Sequence, residues 1–189
     1  MKNIPNHCNQ DLFCEGKPAD VQEFMDLAKT QKDKIYVYGT QDNKKNPLNF
    51  ENFIPYPDEL YEDAKINQEI AQAEKQGNTT KLNELKSLQV LQGVKGFNFY
   101  DYNIEHLGTK WGNYETTIVL DETKKGKRKV LYNFNSAWSP FVALVNEIGQ
   151  KFPKLKFTLK YYEQGVGYSG KSLKHSKSKK YFNFYFFVL

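Results

Sequence analysis

The chain has 189 residues, a length that suits one domain with a real core, and its 13 Tyr and 14 Phe supply ample apolar surface for one. No apolar run nears the roughly 20 residues of a membrane span, and the opening MKNIPNHCNQ lacks an apolar signal core, so a cytoplasmic protein with no membrane partner is expected. The net charge of +5 is uneven: residues 1–95 carry 12 basic and 15 acidic side chains, residues 96–189 carry 15 and 7. The second half therefore suits a polyanion, or simply has a solvated Lys-rich surface.

Residues 6–15 alternate in polarity and stop at Gly16, which predicts a first strand. Pro18 opens a helical pattern with Val21, Phe24, Leu27 and Ala28 on one face. IYVYG at 35–39 is a short β-prone run, and Pro55 and Pro57 bracket Tyr56 in an extended turn. From 58 to 92 the sequence turns charged and Gln-rich, and Gly77-Asn78 divides it, which predicts an inserted helical hairpin. Leu60, Ala64, Ile70 and Ala73 would line one helix, with Leu82, Leu85 and Leu88 facing them. Such a hairpin either offers a docking surface or only covers the sheet.

Tyr114, Thr116, Ile118 and Leu120 mark the next strand, DETKKGKRK at 121–129 a basic turn, and Val130, Tyr132 and Phe134 the strand after it. Ser139 is placed to cap a helix and Pro140 to open it, with Phe141, Leu144, Val145, Ile148 and Phe152 as its apolar stripe. Leu155, Phe157, Leu159 and Tyr161 form a half-buried strand, followed by a Lys/Ser loop and the aromatic strand YFNFYFFVL. Without the insertion the order is β-α-β-β-α-β. This is an α+β, ferredoxin-like arrangement: an antiparallel sheet, helices on one face, and an extra C-terminal strand.

Two features invite chemistry and do not sustain it. Cys8 and Cys14 fall on one face of the first strand with Leu12 between them, about 20 Å apart, far beyond the reach of a disulfide. They read as small core residues, and His7, His106 and His175 show no metal-ligand spacing, so neither metal nor cofactor is expected. GVGYSGKS at 165–172 satisfies both the P-loop pattern and the dinucleotide fingerprint. A working P-loop leads into a helix, yet LKHSKSKK has only Leu173 to dock one, and no acidic strand follows. The string is expected to be a glycine turn, at most a static phosphate contact through its N–H groups.

Five stretches carry a wider resemblance: PNHCNQDLFCEG (5–16), FIPYPDEL (53–60), HLGTKWGNYE (106–115), FNSAWSPF (134–141) and YEQGVGYSG (162–170). Together they resemble the YubB-like (Api-ninety-two-like) family, a domain of unknown function carried by conjugative plasmids, genomic islands and phages. The resemblance implies a ferredoxin-like C-terminal part and a mobile-element context. Leu107, His106 and Tyr168 stand where the family often has Trp, Asn and Phe. Glu163, Gly165, Tyr168 and Gly170 match its last signature; Lys171 and Ser172 lie outside it.

Lys110, Trp111, Trp138, Ser139, Glu163, Tyr168 and Lys171 are the candidate binding residues, with stacking faces from the aromatics and Lys110 as an anion contact. Glu163 and His106 would do acid/base work if they met. The competing reading makes Trp111 and Trp138 core anchors and pairs Lys110 with Glu163 across the sheet. Lys124, Lys125, Lys127, Arg128, Lys174, Lys177, Lys179 and Lys180 form a candidate basic patch. No catalytic triad or carboxylate pair accompanies these motifs. The expected function is non-enzymatic binding to a host protein or nucleoprotein complex, as in an anti-CRISPR or anti-restriction inhibitor. The alternatives are direct nucleic-acid binding by the basic half, and a small-molecule or enzymatic pocket around Trp111, Trp138 and Glu163.

Overall fold

The computed structural model describes residues 6–32, 34–37, 46–93, 99–174 and 181–185. Strand β1 (His7–Gly16) leads into helix α1 (Pro18–Ala28), and helices α2 (Asp58–Gln76), α3 (Thr79–Gly93) and the single turn α4 (Phe99–Tyr102) follow. A five-residue π-helix, Asn103–Leu107, then precedes strands β2 (Tyr114–Lys124) and β3 (Lys127–Ala137). Helix α5 (Val142–Lys151) and strands β4 (Lys156–Glu163), β5 (Tyr168–Lys174) and β6 (Tyr181–Tyr185) complete the order. The strands form one six-stranded sheet in the order β2-β3-β1-β4-β5-β6, and every neighbouring pair is antiparallel. Its first four members, with α1 and α5, make the expected α+β ferredoxin-like unit; β5 and β6 extend it past β4.

Strict alternation in the central strands divides the sheet into two faces. Cys8, Leu12 and Cys14 of β1, Val130, Tyr132 and Phe134 of β3, and Phe157, Leu159 and Tyr161 of β4 all point to the core. Helix α1 meets them with Val21, Phe24 and Ala28, and α5 with Leu144, Val145 and Ile148, each set at helical spacing. Phe24 is the hub: its ring lies 5.1 Å from Phe157, 5.4 Å from Phe152, 5.7 Å from Phe53 and 6.0 Å from Tyr132. The last carbonyls of α1 have no intrahelical partner, and the Asn52 amide donates to Leu27 O at 2.9 Å and Lys29 O at 3.0 Å.

The inserted hairpin forms as expected. Gly77 ends α2 in the left-handed region at φ 66°, and Asn78 Oδ1 accepts from Lys81 N to start α3. Leu60 roots it in the core, but farther out, where Ala73 and Leu85 are buried, its helices pack on each other rather than over the sheet. Leu88, expected in the facing stripe, is exposed.

Four local expectations are corrected. Residues 35–37 form no strand, and 38–39 lie outside the described residues. The basic turn at 121–129 shrinks to Lys125-Gly126, at φ 49° and 74°, because this two-residue hairpin lets β2 and β3 run to its edge. Ser139 does not cap α5: the helix begins at Val142, and the Ser139 hydroxyl donates to Gly108 O instead. The first half of the Lys/Ser loop is strand β5, while residues 175–180 and 186–189 lie outside the described residues.

Phe24→Ala removes the ring on which both helices and the sheet converge, so a loss of about 3–5 kcal/mol is expected. Urea unfolding followed by circular dichroism measures it.

Candidate functional site

All five motif stretches meet at one end of the sheet, where β1 and β2 begin and β3 and β4 end. Across the ladders Cys8 faces Ser136 on one side and Glu163 on the other, and Glu163 faces Tyr168. At the centre lies Gln10, fully buried in the apolar phase of β1. Its Nε2 donates to Ser136 Oγ at 2.5 Å, and its Oε1 accepts from Phe141 N at 2.8 Å. Ser136 Oγ in turn donates to Ser139 O. The link between β3 and α5 is thus pinned from beneath.

That link contains Trp138, held at φ 71°, a left-handed conformation that a bulky residue rarely adopts. Three elements brace it: Trp138 N donates to Asn6 O at 2.9 Å, Tyr168 Oη donates to Trp138 O at 2.5 Å, and Thr109 Oγ1 donates to Ala137 O at 2.9 Å. Asn103, buried in the π-helix, accepts from Tyr56 Oη and donates to Lys110 O at 2.9 Å, which ties the PYPDEL stretch to the same assembly.

The structure therefore brings Lys110, Trp111, Trp138, Ser139, Glu163 and Tyr168 to one end of the sheet, in roles different from those expected. Lys110 and Glu163 are not an ion pair. Lys110 Nζ lies 4.9 Å from the Trp138 ring centre and 5.6 Å from that of Tyr100, a cation–π contact on the surface. Glu163 is buried and accepts from Gly165 N at 2.7 Å and Val166 N at 2.6 Å, so its carboxylate closes the β4–β5 turn. Trp138 is no core anchor, being 42% exposed, and Trp111 is half-buried against Tyr114. His106 does not meet Glu163; its ring lies tilted against Tyr102, with centroids 4.3 Å apart.

GVGYSGKS is resolved in the same way. The turn's left-handed position is Gly167, at φ 79°, and Gly170 is required by close approach, since a Cβ there would lie 2.2 Å from Tyr161 Oη. Gly165 is likewise required by close approach, since a Cβ there would lie 2.3 Å from Asn6 Nδ2. Lys171 and Ser172 lie in β5, facing Lys160 and Leu159, so no helix N-terminus exists to hold a phosphate.

The basic patch also changes. Arg128 makes a two-pronged pair with Asp121 at 2.7 Å, Lys124 meets Glu122 at 2.6 Å, and Lys127 lies 3.8 Å from Glu15. Lys174 runs along Gly149 of α5, and Lys177, Lys179 and Lys180 lie outside the described residues.

Free positive charge lies elsewhere, on the sheet face turned away from α1 and α5. Its ladder rows read Leu131–Phe13–Thr158–Leu173, then Lys129–Glu15–Lys156 on one side and Asn133–Asp11–Lys160–Lys171 on the other, with Asn135–Asn9–Tyr162–Ser169 beyond. Phe13 stands half-buried with Lys129 Nζ 4.9 Å and Lys160 Nζ 5.3 Å from its ring centre. Phe13, Glu15, Lys129, Lys156, Thr158 and Lys160 line a shallow groove of about 170 Å³. Asp11 accepts from Asn133 at 2.9 Å, while no carboxylate of the described residues pairs with Lys129, Lys156, Lys160 or Lys171. Only Lys171 of this set was singled out from sequence. The available signal was phase: Phe13, Lys129, Lys156 and Lys160 all fall out of step with the buried positions of their strands. Gln10 was missed although it carries the converse signal, a polar residue in a buried phase.

The Cys8 thiol and the Tyr168 phenol at the sheet end are held in their neutral forms. Burial, reinforced by the Glu163 charge, pushes the Cys8 thiol from 9.0 up to about 12. Burial and the neighbouring Cys8 raise Tyr168. Cys14 is likewise raised by burial, and both cysteines are free thiols.

Residues 118–180 match the family model described as the ferredoxin-like domain in Api92-like protein, the family that the motifs resemble. Among solved structures, the protein Api92 from Yersinia pseudotuberculosis matches with a TM-score of 0.53 at 11% identity, over 94% of this chain and 98% of that one. That likeness extends the shared fold beyond the matched segment. No curated protein matches. Among the described residues, no helix is long and apolar enough to cross a membrane.

Glu163→Gln leaves one turn N–H facing an amide instead of a carboxylate oxygen; a loss of about 1.5–3 kcal/mol in urea unfolding is expected. Alkaline pH is the second test. A raised thiol or phenol pKa means the folded state holds its proton longer. The resulting stability is complete below about pH 9 and is lost as pH climbs through about 12. The urea midpoint should stay level to about pH 9 and fall beyond it, less steeply in Cys8→Ala.

Proposed function

We propose that this chain, whose residues 118–180 match the ferredoxin-like domain in Api92-like protein, is a non-enzymatic binding protein of a phage or other mobile element. It engages a host nucleoprotein complex through the open face of its sheet, and its task is counter-defence, by inhibition of a CRISPR or restriction complex. The observation that carries this reading is the row pattern of that face. Lys129, Lys156, Lys160 and Lys171 stand around Phe13 and make no ion pair among the described residues, although Glu15 and Asp11 share their rows, on a surface that α1 and α5 leave open. Four lysines against the carboxylates of Asp11 and Glu15 leave these rows net positive, and a positive face attracts polyanions and speeds their encounter.

Two further observations support binding over catalysis. The Glu163 carboxylate already accepts two backbone N–H groups, and the Cys8 thiol is buried and held protonated, so neither is poised to transfer a proton or attack. The mobile-element context comes from the resembled family, and the host-directed task from that context.

The test compares the wild-type chain with the charge-reversed variant K129E/K156E/K160E in a host carrying active CRISPR or restriction defence. Wild type is expected to raise plaque or transformant recovery and to retain a nucleic-acid-containing host complex on affinity purification, and the variant to do neither. Identical recovery and identical retained complexes with both proteins would overturn the reading.

A further inference from the structure

The open face combines charge with aromatic rings in one register. Phe13 faces Thr158 across the β1–β4 ladder, and Tyr162, 43% exposed, lies four residues farther along β4. At strand rise the two rings are about 13 Å apart. Lys160 and Lys171 are register partners and sit between them, on the same face. Lys129 and Lys156 continue the positive charge beyond Phe13 in the other direction, flanking Glu15. Lysine, aromatic ring, lysine pair and exposed aromatic ring thus follow one another along the strand direction.

We propose that this track binds single-stranded nucleic acid, with Phe13 and Tyr162 as stacking platforms and Lys129, Lys156, Lys160 and Lys171 on the phosphates; the proposal rests on the open-face reading above. The chemistry selects the occupant. A cationic groove alone suits any polyanion, but an aromatic ring on its floor rewards a ligand that offers a π-face, and a duplex hides its base faces in the stack. The two ammonium groups over Phe13 hold charge where a phosphate would cross the groove. An incoming base takes the place of one ammonium on the ring, and that lysine turns to the adjoining phosphate. Thr158 and Ser169, on the same face, add hydroxyls beside the two rings. An acidic protein segment would use the lysines but gain little from two separated rings, so it is the competing outcome.

The experiment is fluorescence polarisation of the full chain with labelled poly-uridine RNA, poly-thymidine DNA, a mixed-sequence duplex and an acidic peptide, between about 50 and 200 mM salt. Single strands are expected to bind over the duplex and the peptide, with an affinity that falls steeply as salt rises. Phe13→Ala and Tyr162→Ala should each weaken single-strand binding roughly fivefold to a hundredfold, whereas Tyr162→Phe, which keeps the stacking face, should restore it. K129E/K160E should weaken binding and flatten its salt dependence; K81E on the hairpin should not. Circular dichroism confirms that each variant is folded. Absence of single-strand binding, equal binding of the duplex, preference for the acidic peptide, or indifference to both aromatic substitutions would overturn the inference. If the triple charge reversal still abolishes counter-defence in those cases, the open-face reading stands with a different occupant; if it does not, both fall.

Discussion

Gln10 places a primary amide where the pattern of its strand calls for an apolar side chain, and the sheet end is organised around satisfying it. Its two polar ends serve Ser136 on β3 and the Phe141 N–H at the approach to α5. A buried amide left without partners is expensive, so the arrangement tolerates little movement of either neighbour. It fixes where β3 stops and where α5 starts. The intervening residues must turn sharply, and Trp138 takes the left-handed conformation. Thr109, Tyr168 and the Asn6 carbonyl then brace that strained residue from three elements. The five motif stretches are thus linked because each supplies a strut to one polar assembly.

This changes what those motifs mean. Residues selected for chemical promise prove to be engaged in holding backbone. Glu163 closes a turn, Ser139 bonds a neighbouring loop, and Tyr168 supports a carbonyl. The glycine string shows the same logic. Gly167 makes the turn and Gly170 admits Tyr161, while the Lys-Ser that completed the P-loop pattern is the opening of a strand. A sequence pattern specifies residue types at a spacing; a P-loop also needs a helix N-terminus after it, and here the same residues extend the sheet.

With one face occupied by the core, the other is left for solvent and partners. Every side chain on it is set by the period-two alternation of strands whose opposite phase is apolar. Charges there are distributed unevenly in a way no single strand reveals. Lys129, Lys156, Lys160 and Lys171 come from three strands separated by up to 42 positions, and only the pairing of β3, β1, β4 and β5 puts them around Phe13. Conversely, Lys124, Lys127 and Arg128, which look like a basic cluster in the sequence, meet Glu122, Glu15 and Asp121 in the fold.

The sequence by itself determined the ferredoxin-like unit with its order of strands and helices, the inserted hairpin and most of the core. Those follow from hydrophobic period and turn chemistry, which act over a few residues and are written locally. It also carried the motif set, though not the reason for it. The tertiary structure decided the rest. Helix α5 starts late because Gln10 reaches Phe141 from 131 positions away, the Lys/Ser stretch becomes a strand because β4 offers an edge to pair with, and Lys129, Lys156 and Lys160 form no ion pair because their acidic register neighbours are engaged elsewhere, Glu15 by Lys127 and Asp11 by Asn133. Long-range pairing sets each of these outcomes, and the contribution of a distant partner has no signature in the local sequence.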